Sequence, residues 1–309
     1  MKKSIYFSII ALFIIVNASA QDNINTSNNI SGAVNSSKQT GSDTTIKEGW
    51  TTGGVINISL TQAAQNNSWT EIKGGGNTQF FGVKGIVSYN FNRKKGTTNW
   101  LNSFTGRYGG SSSTVYVPAT ATTPATTSSV PFAKSDDYLN FTSIYGKEMS
   151  KTISYAGLFS VESQFERFLT PGYIKLGPGF LYEPNKYFNA FVSPAMANLT
   201  TKLTANSLPI TEYGVDSGKT TVFDFGAFAR VSFNYPIAKG ITYTTTADLY
   251  SNYLSQPGNM VFDWNNLFTL TVNKFVAATL SFNMRYNQLE VAKMQTQQGL
   301  GIGFNYKLK

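Results

Sequence analysis

From Gly49 to the C-terminus the chain alternates apolar and polar residues with a period of two. The clearest stretch is Val276 to Asn287. Val276, Ala278, Leu280, Phe282, Met284 and Tyr286 share one face, and Ala277, Thr279, Ser281, Asn283, Arg285 and Asn287 share the other. Phe223, Phe225, Ala227, Ala229, Val231, Phe233 and Tyr235 repeat the pattern opposite Asp224, Arg230, Ser232 and Asn234. The alternation predicts about twelve strands, near 53–62, 79–92, 98–109, 136–149, 153–166, 173–183, 187–203, 220–236, 240–253, 260–273, 275–288 and 298–309.

The connections carry as much information as the strands. Those after even strands are short, as at Arg93, Ser150, Pro184, Pro236 and Asn273. Those after odd strands are mostly long: 63–78, 110–135, 204–219 and 290–297. A short and long alternation is the signature of an up-and-down barrel with tight turns on one rim, and a Greek-key sandwich has no reason to produce it. The fold expected is all-β, an antiparallel up-and-down transmembrane barrel of about 12 strands. In such a barrel the apolar face meets lipid and the polar face lines the interior; in a soluble sandwich the two are reversed. Charged residues at the polar positions favour the barrel, because a dry core would leave them desolvated.

Composition agrees with this reading. The 309 residues include 23 Phe, 17 Tyr and 4 Trp, with only 13% charged. Phe91, Trp100, Tyr155, Tyr187, Tyr235, Tyr243 and Phe275 fall near the short turns, as an interfacial aromatic girdle would, although Tyr and Phe are also good strand residues in their own right. The first twenty residues have two lysines, an apolar run from Ile5 to Val16 and the Ala18-Ser19-Ala20 cleavage pattern, so 1–20 is expected to be a signal peptide. Residues 21–48, rich in Asn, Ser, Thr and Gly, are expected to form a disordered periplasmic tail, and 49–309 the barrel in the bacterial outer membrane. The net charge of +9 is scattered, with no basic run beyond Arg93 to Lys95, so nucleic acid is not an expected partner.

Around "GWTTGG", "KSDDYLNFTSIYG", "YEPNKYFNAFVSP" and "VFDWNNLFTLTVNK" the sequence resembles a Bacteroidetes-type outer-membrane β-barrel family catalogued as a domain of unknown function. Trp50, Gly53, Gly54, Lys134, Asp136, Asp137, Ser193, Pro194, Asp263 and Trp264 carry the resemblance; "EYGVDSGKT" near Tyr213 departs from it, being more polar. The resemblance implies an exported barrel and brings no activity with it. The final "GIGFNYKLK" resembles the signal read by the barrel-assembly machinery through Gly303, Tyr306 and Leu308, with Lys309 replacing the usual terminal aromatic residue. Expected partners are therefore outer-membrane lipid, the assembly machinery and envelope proteins.

Catalytic chemistry has little to work with. Histidine and cysteine are both absent, which removes the usual general base, the Ser-His and Cys-His dyads and imidazole metal sites. Gly218-Lys219-Thr220 ends like a phosphate loop, but its spacing is one residue short and a strand follows instead of a helix. The carboxylates Asp136 with Asp137, and Glu162 with Glu166, are candidates for acid-base work, but rim acids are more often solvated charge. No catalytic residue, cofactor or metal is expected. The candidate site is the lumen. Arg107, Glu162, Arg230, Asp248, Asp263 and Arg285 fall at inward positions at similar heights, with Asp263–Arg285 and Arg230–Asp248 as candidate pairs, above neutral positions such as Thr242, Thr244 and Thr269. This belt is expected to act as a pore constriction or a side-chain plug, and Gly299, Gly301 and Gly303 suggest a recess for the tail. Two functions follow: a narrow pore for passive diffusion of small polar solutes, or a plugged structural barrel that docks envelope partners.

Overall fold

The computed structural model describes residues 48–64, 67, 76–185, 187–203, 215–216, 218–254, 258, 260–273, 276–287 and 291–308. The expected signal peptide, and the expected tail up to Lys47, lie outside them. Twelve strands follow in order: β1 Gly49–Ala64, β2 Gly76–Lys95, β3 Thr98–Val117, β4 Thr126–Glu148, β5 Ile153–Ser163, β6 Gly172–Asn185, β7 Phe188–Thr201, β8 Thr221–Ala238, β9 Ile241–Asn252, β10 Met260–Thr271, β11 Val276–Asn287 and β12 Val291–Leu308. Each pairs with its chain neighbour, and β12 returns antiparallel to β1 from Gly54↔Leu308 to Leu60↔Ile302, closing the barrel. Closure leaves no edge strand, which hydrocarbon would not tolerate.

The short turns fall where the alternation puts them. Gly96 and Gly240 take positive φ there, at 56° and 79°. Two long connections are shorter than expected, because β3 and β4 extend into 110–135 and β12 begins at Val291. These extensions are Ser/Thr-rich in one case and mainly polar on both faces in the other, so most of their length pairs as strand without a sustained apolar side. Residues 62–81 and 111–133 belong to a compact unit distinct from the one holding 82–110 and 134–309.

The exposed face is the apolar one. On β5, Ile153, Tyr155 and Phe159 are exposed while Ser154, Ala156, Leu158 and Ser160 are buried. On β12, Ile302, Phe304 and Tyr306 point out, and on β11 Phe282 is exposed while Ala277 is buried. Aromatic rings touch in series around this outer face: Trp50–Trp100, Tyr89–Phe91–Phe141–Phe159, Tyr155–Phe180, Tyr182–Phe188 and Tyr187–Tyr235–Phe233–Tyr243–Phe268, at centroid spacings of 4.7 to 6.5 Å.

The same polar network appears twice on this apolar face. Trp100 Nε1 donates to Ser143 Oγ (2.9 Å), Ser143 Oγ donates to Asn102 Oδ1 (2.8 Å), and Asn102 Nδ2 donates to the Phe91 carbonyl (2.9 Å). On the other side, Trp264 Nε1 donates to Thr245 Oγ1 (2.8 Å), Thr245 to Asn266 Oδ1 (2.9 Å), and Asn266 Nδ2 to the Phe282 carbonyl (3.1 Å). Both are Trp-x-Asn sequences spanning three strands. The asparagines are buried although they sit at outward positions, since an unmet amide facing hydrocarbon costs several kcal/mol, on the order of 4.

Proline marks irregularities in the ladder. Between Ser193 and Met196 the β7–β8 register slips, with Pro194 inside the slip. Having no N–H to donate, proline is accommodated in a sheet at such a bulge. Ser193 Oγ bridges across by donating to the Pro178 carbonyl at 2.7 Å.

Candidate functional site

The interior has two components. The first is apolar: Leu101, Ile144, Ala156, Leu158, Leu181, Phe191, Met196, Phe228 and Tyr250 form one buried cluster, with Val261 packed against it. They come from β3 through β9, at inward positions. Phe191, Met196, Leu158 and Phe228 are 0–2% exposed. The period of two puts polar residues on the inward face, with a side-chain plug as one of the two expected outcomes; on this wall the inward positions carry packed apolar side chains. Packing of this kind makes the wall a core.

The second component is a charged layer against that cluster. Register places Arg230 of β8 opposite Asp248 of β9, and the pair is bidentate: Arg230 Nε to Asp248 Oδ1 at 2.7 Å and Nη2 to Oδ2 at 2.6 Å. Two parallel charge-assisted bonds fix the guanidinium plane. Arg107 of β3 lies over the Tyr138 ring of β4, with Cζ 3.9 Å from the centroid, and Tyr138 donates its hydroxyl to Glu162 Oε2 of β5 at 3.2 Å. Lys175 of β6 and Arg230 both sit over the Phe228 ring, at 5.3 and 5.6 Å. Arg230 is within electrostatic reach of Tyr138 and Glu162, and Asp248 of Lys175.

Four of the six lumen candidates, Arg107, Glu162, Arg230 and Asp248, therefore meet in one layer. Asp263 opposes Asp248 on one side and Arg285 on the other through the backbone ladder; the Arg285 side chain lies outside the described residues. Tyr138, Lys175 and Phe228 complete the layer and were missed. Phe228 was legible as the one large apolar residue at an inward position of β8, in phase with Arg230. Tyr138 and Lys175 share the inward parity of Thr142 and Leu181 on their own strands, which was the available signal.

Elsewhere the lining mixes small, neutral and charged side chains. Thr142 and Ser160 share a hydrogen bond at 3.2 Å, Thr244 donates to Asn234 at 3.2 Å, and Asn252 donates to Asp224 at 2.7 Å. At the short-turn end Lys94 pairs with Glu148 at 3.2 Å, which also accepts from Asn99. The β11–β12–β1 wall carries Ala277, Thr279, Gly301 and Gly303. The recess expected for the tail is occupied at Gly303 by Asn57: a methyl group on Gly303 would lie 2.5 Å from Asn57 Nδ2.

The rim acids do structural work. Asp137 caps the 164–171 loop, accepting from the Phe165 and Glu166 amides at 2.7 and 3.2 Å and from Lys134 at 3.0 Å. Lys134 also reaches Glu166 at 2.7 Å, and Tyr108 donates its hydroxyl to the same carboxylate. Those two contacts hold the Glu166 carboxyl below its ordinary range. Glu162 points inward and Glu166 lies on the loop, so these two acids do not form a pair; the Asp136 side chain lies outside the described residues. Lys219 pairs with Asp216 at 2.8 Å in the "VDSGKTT" turn. Among the described residues no cluster of acidic side chains is arranged to hold a metal ion.

A closed antiparallel barrel with an apolar, aromatic-belted exterior and an ion-paired interior defines an outer-membrane β-barrel protein. Residues 60–173, less than half of the chain, match the family described as protein of unknown function (DUF3078). No curated protein sequence matches the chain. Similar solved structures include the NanC porin (8% identity, 82% of this chain and 100% of that one, TM-score 0.41). Others are the translocator domain of the autotransporter NalP from Neisseria meningitidis (7%, 85% and 89%, 0.40) and an outer membrane channel from Pseudomonas putida F1 (9%, 85% and 96%, 0.39).

Proposed function

We propose that this chain is a side-chain-plugged outer-membrane barrel, a scaffold that displays its outer loops to envelope or surface partners and does not act as an open diffusion pore. One observation carries the reading: Leu158, Phe191, Met196 and Phe228 sit inside the barrel at 0–2% exposure, capped by the Arg230–Asp248 pair. An aqueous bore against that wall would wet these side chains. The exterior takes outer-membrane lipid, and β12 presents Tyr306 on its outer face for the assembly machinery.

A narrow pore for small polar solutes is the second reading. The small wall of Ala277, Thr279, Gly301 and Gly303 favours it, because glycine and alanine leave the most room for a polar path. Liposome swelling separates the two. The wild-type barrel is expected to admit no sugar of any size, and Phe191→Ala with Phe228→Ala is expected to create a measurable conductance. Swelling of wild-type liposomes in small sugars would overturn the plugged reading and establish the pore.

A further inference from the structure

The hairpin joining β3 to β4 has a composition that the barrel itself does not require. From Tyr108 to Ala133 there is not one charged residue, whereas at the chain's 13% charged composition about three would be expected. Within 120–129, seven of the ten residues are Thr or Ser and the other three are Ala121, Pro124 and Ala125. Residues 119–134 are all exposed. Val117, Val130 and Phe132 are 52, 46 and 57% exposed. An exposed, uncharged β-hairpin with apolar residues beside it invites pairing with other chains, and proteins normally block this with Lys, Glu or other gatekeepers. None is present here.

We propose that this tip is an O-glycosylation site, and that its hydrated sugars provide the protection that charges provide elsewhere. Ser/Thr-rich segments interspersed with Pro and small residues, exposed and extended, are the composition of O-glycosylated stalks. The structure distinguishes the acceptors. Thr120 holds the turn: its Oγ1 lies 2.6 Å from Thr123 Oγ1 and accepts the Thr122 and Thr123 amides at 3.3 and 3.1 Å. Among the described residues the Thr126, Thr127, Ser128 and Ser129 hydroxyls have no hydrogen-bond partner, and they are the acceptors. The donor is a sugar activated as a glycosyl phosphate ester. The hydroxyl oxygen forms the new bond to the anomeric carbon, the anomeric carbon–oxygen bond to phosphate breaks with its electron pair leaving on the phosphate, and the hydroxyl proton passes to a base of the transferase. The inference stands independently of whether the lumen is open.

Arg107 and Lys134 flank the hairpin, so trypsin acting on denatured protein releases Tyr108–Lys134 as one peptide. From protein purified out of its native outer membrane, that peptide is expected to exceed its sequence mass by whole-sugar increments that alkaline β-elimination removes. The combined change Thr126→Ala, Thr127→Ala, Ser128→Ala and Ser129→Ala is expected to abolish the excess, and Thr120→Ala to retain it, with the folded band on unheated gels kept in both. A native peptide at its sequence mass overturns the proposal, as does an excess that survives the fourfold change.

Discussion

Asp248 gives the Arg230 guanidinium two short bonds in a layer that is only partly wet, each side chain being about one-fifth exposed. Asp248→Asn leaves the cation uncompensated and is expected to cost about 3 kcal/mol in urea unfolding of the lipid-reconstituted barrel. Exchanging the two residues is expected to recover part of that loss. The paired Trp-x-Asn networks allow a second test at the same scale. Asn102→Leu and Asn266→Leu each remove the acceptor of a half-buried hydroxyl and the donor to a strand carbonyl, and each is expected to destabilise by about 1–3 kcal/mol by the same measurement. Equal losses would reflect a common network, and a loss at one site alone would show that the repetition has no energetic meaning. The Glu166 carboxylate titrates in the opposite sense to a buried acid. Its folded value is depressed by Lys134 and Tyr108, so its support of the 164–171 loop is complete above the ordinary glutamate value of about 4.3 and is lost as pH falls through the lower folded value. The protection factors of the Phe165 and Glu166 amides, whose acceptor Asp137 shares Lys134 with Glu166, are expected to hold at neutral pH and to fall only in acid.

Whole strands were legible in the sequence because lipid favours apolar residues at outward positions, leaving a period of two that runs unbroken on β8 and β11 and is interrupted on β9 by Thr245. What the inward positions hold was much less legible. On β7 the run Ala190-Phe191-Val192 is apolar throughout, so the inward Phe191 looks like a lapse in the pattern when it is in fact part of the interior cluster. Arg230 with Asp248 could be anticipated because both are charged and register followed from one short turn. Tyr138, Lys175 and Phe228 meet them only through strand tilt and barrel closure, which act between strands far apart in sequence. The extensions of β3, β4 and β12 were missed because a strand with polar residues on both faces carries no periodicity. Close backbone approach also defines elements: a Cβ on Gly226 would fall on the Ser251 carbonyl oxygen, across the β8–β9 ladder. Gly226→Ala is expected to cost about 1–3 kcal/mol and to speed amide exchange along β9.

For the molecule as a whole, the decisive contrast is between a packed wall from β3 to β9 and a wall of small residues where β11, β12 and β1 meet. On the plugged reading proposed above, it accounts for a closed bore in an up-and-down barrel with a polar inward parity, and it makes swelling assays with the interior phenylalanines truncated the informative experiment. The β1–β12 seam has a further implication. With Gly54 opposite Leu308, the first and last strands are sheet neighbours, so the order of the strands around the cylinder does not depend on where the polypeptide is cut. A circular permutant opened between Pro118 and Ala125, with Gly49 and Leu308 joined by a short linker, is expected to refold from urea into detergent micelles, without the assembly machinery, and to migrate as a heat-modifiable barrel.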